Sequence, residues 1–352
     1  MAVKRYYAKI DNTITNAFEE NLTTRGTGSN MGASDILEVF SIFAQANSSS
    51  AEEARALIKF NATASTDSIT ADRTAGVIPA SGSVSFYLRM FNAKHGQTLP
   101  KNFTMDISAI TGSWDEGTGL DMEGYKDKDD SNWTNRLPST AWATTGGDYY
   151  TDASSSFTAS FTSGVEDIEV DITTLVEQWA NSAGNVLGSK NDEGVGVFVS
   201  SVYSGESRSY YTKKFFARGT EFHFKKPYIE ARWDSATKDD RGTFFFSSSL
   251  ATAAENLNTL YFYNYFRGQL RNIPSIGTGN IYLSIYSGSA DDSAPFGSRL
   301  ELVPDGTHVR SASNALTTVV TGGYVSTGIY SASFATTGTQ TTLYDVWHNN
   351  GN

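Results

Sequence analysis

The sequence predicts an all-β protein: an N-terminal jelly-roll-like β-sandwich with one short helix, followed by a smaller immunoglobulin-like β-sandwich. Three observations carry this. Aromatic residues reach 13% and glycine is abundant, a composition that favours strands and turns over helices. Charged residues stand at 18%, below the usual ~25%, and polar Ser, Thr and Asn fill the difference. Short apolar or alternating runs recur between Gly, Ser and Asn clusters, as strands do.

The elements follow in chain order. "MAVKRYYAKIDNTIT" passes from a basic start into alternating, strand-like sequence, with no apolar stretch of the signal-peptide kind. Strands are predicted at Ile36–Ala44, Arg55–Ala62, Ser83–Ala93 and Asn102–Ile110. After an acidic stretch come Ser155–Ser163, Asp167–Thr174, Gly194–Ser201, Arg208–Ala217 and Lys226–Trp233. Most of these nine runs offer one apolar and one polar face, which suits antiparallel sheets packed face to face. A helical turn is expected at the start of "SSSAEEARALIKF". A firmer helix is expected in "DITTLVEQWANSAGN" (Asp171–Asn185), with Thr173 or Thr174 as cap and Leu175, Val176 and Trp179 on one face.

The polar run "WDSATKDDRGT" (Trp233–Thr243) reads as a boundary. Strand-like sequence restarts beyond it, with six or seven short runs at immunoglobulin-like spacing. The organisation expected is 1–234 as the first sandwich, 235–242 as linker and 243–352 as the second sandwich.

Composition also narrows function. A net charge of −11 without a basic run disfavours binding to nucleic acid. The absence of cysteine excludes disulfides, thiolate metal sites and a cysteine nucleophile. No window approaches the ~18 consecutive apolar residues of a membrane span, so no membrane insertion is expected. His95, His223, His308 and His348 are scattered without zinc-site spacing, and no nucleophile elbow or phosphate-binding loop is present.

The densest cluster of ionisable groups is "SWDEGTGLDMEGYKDKDDSNWTN" (Ser113–Asn135). As a catalytic site it has carboxylates in Asp115, Glu116, Asp121 and Glu123, but no apolar wall to raise one pKa selectively. As a cation loop it offers Asp127, Asp129, Asp130 and Asn132, with calcium the only candidate cofactor. The EF-hand pattern would want Gly where Asn132 stands and Glu where Pro138 stands. As a carbohydrate site the neighbourhood offers Trp133, Trp142, Tyr149 and Tyr150 for stacking on sugar rings.

Nine pieces now stand in a particular order: "NMGASDILEV", "RALIKFN", "SVSFYLRMFNA", "SWDEGTG", "SNWTN", "WATTGGDYY", "VDITTLVEQWANSAGNVLG", "GVGVFVS" and "KPYIEARW". In that order the first ~233 residues resemble the DNRLRE-type β-sandwich, a module related to carbohydrate-binding jelly rolls. The whole chain further resembles virion structural proteins of contractile-tailed phages of marine cyanobacteria. The resemblance implies a non-enzymatic particle component: a tail or neck fibre, a head decoration or a baseplate attachment. Its partners would be other virion proteins and symmetry mates, and its place the particle, after synthesis in host cytoplasm. The resemblance supplies no catalytic residues. It implies that Trp114 anchors the acidic stretch in the core while the carboxylates stay outside. The alternative reading is a glycan-binding module facing a host surface glycan, with or without calcium. A polysaccharide-degrading enzyme is the third.

Overall fold

The computed structural model describes residues 2–96, 100–126 (backbone only over 121–126), 130–180, 186–204, 209–235, 237–287, 297–308, 316–336 and 340–350. It divides into two compact units, Met1–Ser235 and Ala236–Asn352. The segment expected as a linker therefore belongs, from Ala236 on, to the second unit. Its acidic residues explain why. Asp240 is buried and accepts a hydrogen bond from the Thr259 amide at 2.8 Å, and Asp239 accepts one from the Tyr261 amide at 3.2 Å.

The first unit is a β-sandwich. Its smaller sheet runs in the order Ala2–Tyr7, Tyr228–Trp233, Val84–Met90, Ile168–Asp171. Its larger sheet runs Ser156–Phe161, Phe103–Ala109, Val195–Val199, Ala51–Lys59, Ile36–Phe43, Tyr210–Phe216, and Ile10–Thr15 also pairs with Ala51–Lys59. All of these pairings are antiparallel. Each of the nine predicted runs contains a strand. Two more, Ala2–Tyr7 and Ile10–Thr15, come from the alternating N-terminal sequence.

The strand period of two builds the core. Val84, Phe86, Leu88 and Met90 point inward from the smaller sheet, and Phe103, Met105, Ile107, Val195 and Val197 from the larger. Burying each such Val, Leu or Phe stabilises the fold by roughly 1.5–3 kcal/mol. The residues between them, Thr104, Asp106 and Ser108 on one strand, are left for the outer face. That outer face becomes the candidate site.

The helix expected after Asp171 forms at Thr173–Ala180, burying Leu175, Val176 and Trp179. The Asp171 carboxylate, and not a threonine, accepts from its first amide, that of Thr173, at 2.9 Å. The Thr173 hydroxyl instead accepts from the Phe86 amide at 2.8 Å, tying the helix to the smaller sheet. The helical turn expected near Ala51 is a strand, Ala51–Lys59. There Glu52, Ala54, Ala56 and Ile58 alternate inward, and pairing on both edges overrides the helix-favouring Ala and Glu composition. A second helix, Ile69–Thr74, was not expected; the Ser68 hydroxyl caps it by accepting from the Ala71 amide.

In the second unit five antiparallel strands follow the order Asn258–Tyr263, Ile329–Phe334, Val320–Ser326, Ile281–Ser287, Leu343–His348. Val320–Ser326 changes partner midway. Val320–Gly322 pair with Ile281–Leu283, whereas Gly323–Ser326 pair with Ile329–Ser331. Consecutive glycines at the change allow the strand to bend. The outermost strands consequently come face to face, with the Phe262 and Trp347 rings 5.6 Å apart. Val320–Ser326 is thus shared by two small sheets, one with Asn258–Tyr263 and Ile329–Phe334 and the other with Ile281–Ser287 and Leu343–His348, which enclose a core of Leu260, Leu283, Ile285, Leu302, Val320 and Phe334, a small sandwich.

Candidate functional site

The acidic stretch is fastened to the first unit by a buried polar network. Trp114 is buried and its indole N–H donates to the Glu193 carbonyl at 3.0 Å, so it anchors the chain as expected. Two residues on, Glu116 is not a solvated carboxylate. It forms a two-pronged ion pair with the Arg218 guanidinium and accepts from the Asp11 amide at 2.8 Å. The buried Asp11 carboxylate accepts in turn from the Arg218 amide at 2.6 Å. Burial, reinforced by the neighbouring Glu116 charge and opposed by Arg218, raises Asp11 to about 7.

Asn12 and Asn30 complete the fastening. The Asn12 amide donates to the Ser131 carbonyl at 2.9 Å, and that of Asn30 to the Glu116 and Ser131 carbonyls at 2.8 and 2.7 Å. Asn30 Oδ1 accepts from the Gly119 amide at 3.0 Å. This close approach explains the glycines of "SWDEGTG". Gly117 has φ +81°, and a Cβ there or at Gly119 would collide with Asn30. The stretch is a pinned connection, and the expectation that all its carboxylates stay outside fails at Glu116.

The cation reading fares as follows. Asp127 and Asp129 lie outside the described residues. Asn132 is buried, and its Oδ1 accepts from the Thr134 and Asn135 amides at 2.9 and 2.8 Å. Both lone pairs of that oxygen are engaged in the turn, so Asn132 does not fit the role of a calcium ligand. The Asp130 carbonyl accepts from the Asn132 side chain at 3.3 Å. Among the described residues no group of three or more His, Asp or Glu side chains is arranged to hold a metal ion.

Beside this pinned loop, the outer face of the larger sheet carries a groove of about 630 Å³. Strand residues Asp106, Ser108, Thr158 and Phe198 form part of its lining, and Tyr149 and Tyr150 belong to the loop that borders it. The four rings expected as sugar platforms are placed unequally. Trp133 and Trp142 are core residues, packed with Trp114, Ile14 and Leu57. Packing the turn around Asn132 requires them there: the Trp142 indole N–H donates to the Asn132 carbonyl at 2.9 Å. Tyr149 is wedged between Arg55 and Phe198, with its hydroxyl donating to the Gly146 carbonyl at 2.9 Å. Burial, opposed by Arg55, pushes that phenol up to about 12. Tyr150 does reach the groove, but the Lys190 ammonium sits 4.2 Å from its ring centre. Each ring is thus buried or already covered by a neighbour.

What the groove offers instead was missed in the sequence. Phe157 and Phe198 supply half-buried rings, and Ser108 and Ser156 supply hydroxyls 3.1 Å apart. Asp106 supplies a carboxylate touched by the Thr158 hydroxyl at 3.5 Å. Strict alternation in "NFTMDISAI" was the available signal, since inward Met105 and Ile107 force Asp106 and Ser108 outward. The other lining carboxylate, Asp148, accepts from the Ala143 and Thr144 amides at 2.8 and 2.7 Å, so it caps its own loop. Such a lining, with Arg55 at its edge, suits binding through rings, hydroxyls and the lightly engaged Asp106 acid. Glycoside hydrolysis calls for a cooperating carboxylate pair across the scissile bond.

No described helix is long and apolar enough to cross a membrane. Compared with models of known protein families the chain matches none, and comparison with curated protein sequences finds no relative.

Proposed function

We propose that the chain is a non-enzymatic structural protein of a virion, of the tailed-phage kind its sequence resembles, acting through protein–protein assembly contacts. One observation carries the reading: each unit leaves large aromatic side chains in solvent. In the first unit Tyr210, Phe222 and Phe224 are exposed, Phe224 by 76%. In the second, Tyr263, Tyr265 and Phe266 are exposed, Tyr265 by 62% and Phe266 by 52%. Grouped exposed aromatics mark contact surfaces, and aromatic residues are enriched where proteins associate. The pinned acidic loop supports the same reading, because a rigid rim makes a reproducible contact surface. Peptide mass spectrometry of purified particles, with electron-microscopic localisation, tests it. The expected result is stoichiometric copies at a fixed symmetric position; particles lacking the protein would refute it.

A further inference from the structure

We infer that the Tyr265–Leu270 hairpin of one copy docks into the sheet-face groove of a second copy. The inference deepens the assembly reading and rests on it.

The hairpin is tight and exposed. Tyr265 pairs with Leu270 and Phe266 with Gln269, leaving a two-residue turn at Arg267 and Gly268 with φ values of 50° and 77°. Two central residues with positive φ are the tight turn that matches strand twist. Asn264 and Arg271 brace its base, the Asn264 side chain donating to the Arg271 carbonyl at 2.6 Å.

Its arginines stand apart from the others. Every other described arginine side chain donates to a carboxylate, carbonyl or hydroxyl oxygen. Arg267 and Arg271 instead lie against the Phe266 ring, 5.3 and 5.6 Å from its centre. Stacking holds both guanidinium groups in place and leaves their N–H edges for an outside acceptor. A carboxylate is the acceptor that geometry suits best.

Charge then selects the partner surface. The chain carries −11, and most of it lies in residues 1–235. Within that unit the exposed rings Phe222 and Phe224 are flanked by His223, Lys225 and Lys226, which would repel a cationic tip. The groove is concave where the hairpin is convex, and Asp106 carries a carboxylate with little engagement. The groove also has Arg55 in its lining, but that guanidinium is already paired with the Glu53 carboxylate at 2.9 Å and donates to the Gly146 carbonyl at 3.0 Å, which leaves Asp106 to meet a cation. It is lined too by the half-buried ring of Phe157, a partner for exposed Tyr265. Its volume of about 630 Å³ falls in the range that encloses a group of several side chains. A tip meeting a groove is a head-to-tail contact, which builds rings or filaments rather than closed pairs.

The test is sedimentation velocity of the full chain at low salt, over a concentration series. Wild type should self-associate. R267E/R271E and D106R should each weaken association at least tenfold, with circular dichroism unchanged. An equimolar mixture of the two variants should associate again, because the reversed tip meets the reversed groove and the native tip meets the native groove. Variants that associate as wild type does would overturn the docking while leaving assembly through other surfaces intact. A monomeric wild type, or a mixture that stays monomeric, would overturn it too. So would hairpin binding to polygalacturonate by a monomeric chain, lost in R267E/R271E.

Discussion

The two units reach a β-rich fold with different interiors. The first encloses a large apolar core and still buries charged side chains: Asp11, Glu52, Glu177, Lys213 and Glu230. The second closes a small core between two small sheets that share one strand, and among its described residues Asp240 is the buried charged one. A buried charge is tolerated only with partners, since an unpaired one costs several kcal/mol. The larger unit can hold such groups because its strands, a helix and its loops bring the partners: Arg5 and Arg232 meet Glu230, Arg73 meets Glu177, and loop oxygens meet Lys213. The difference teaches that the first unit's stability runs through polar networks, whereas the second's depends on a few rings and aliphatic side chains.

Truncating one ring in each unit tests that contrast most severely. Trp114→Ala removes a buried indole and its bond to Glu193; Phe334→Ala empties the centre of the second core. Each should cost about 3–5 kcal/mol. The smaller core has fewer neighbours to share the loss, so Phe334→Ala should unfold its unit at lower urea than Trp114→Ala unfolds the first. Urea titration followed by limited proteolysis and peptide mapping reads the order. A Phe334→Ala chain that resists proteolysis as wild type does would end the claim of a thin second core.

Lys213 is the sharper probe of the first unit. It is 1% exposed, and its ammonium donates to Asn92 Oδ1, Gly164 O and Glu166 O at 2.7, 2.9 and 2.7 Å. Burial pulls its pKa down to about 8, against the Glu166 and Asp167 charges. Lys213→Met preserves much of the aliphatic stem and strands three oxygens, at about 1–3 kcal/mol for a group so exposed to desolvation. Equilibrium denaturation should therefore show a loss of about 1–3 kcal/mol. A more stable Lys213→Met would mean that burying the charge had been a net burden.

Within the acidic stretch the effects should split by contact. Asp115 is exposed, and Asp115→Asn should stay within about ±0.5 kcal/mol. Glu116→Gln loses one prong of the Arg218 pair, and partial exposure of that arginine limits the cost to about 1 kcal/mol. Equal midpoints for the two variants in the same titration would show that Glu116 is as solvated as its neighbour.

How much was legible follows from the same physics. Period-two alternation is local, so the strands of the first unit could be read from residues such as Phe86, Leu88 and Met90. The helix at Thr173–Ala180 was legible because Leu175, Val176 and Trp179 share a face. Ala51–Lys59 was obscured because its Ala and Glu residues favour a helix until neighbouring strands pair with both edges. The site was less legible. Whether Trp133 stacks on a ligand or fills the core depends on Arg55, far away in sequence, whose guanidinium lies 5.0 Å from its ring. The engagement of Glu116 depends equally on Arg218, a partner that no local pattern reveals.

A titration separates the two interiors by pH. Asp11 in the folded chain titrates near 7, well above an ordinary carboxyl. Between about pH 4 and 7 the folded state therefore holds a proton that the unfolded state has released. Stability from this group is complete below that window, declines as pH rises through it, and levels off above 7. Asp11→Asn keeps an oxygen to accept from the Arg218 amide and has no proton to lose. Relative to wild type it should gain on the order of 4 kcal/mol from pH 4 to pH 8, read as a shift in urea midpoint. A constant difference between the two chains at pH 4, 6 and 8 would place Asp11 at its ordinary pKa despite its burial. The distinction drawn between a polar, pH-responsive first interior and an apolar second one would then rest on Lys213 alone.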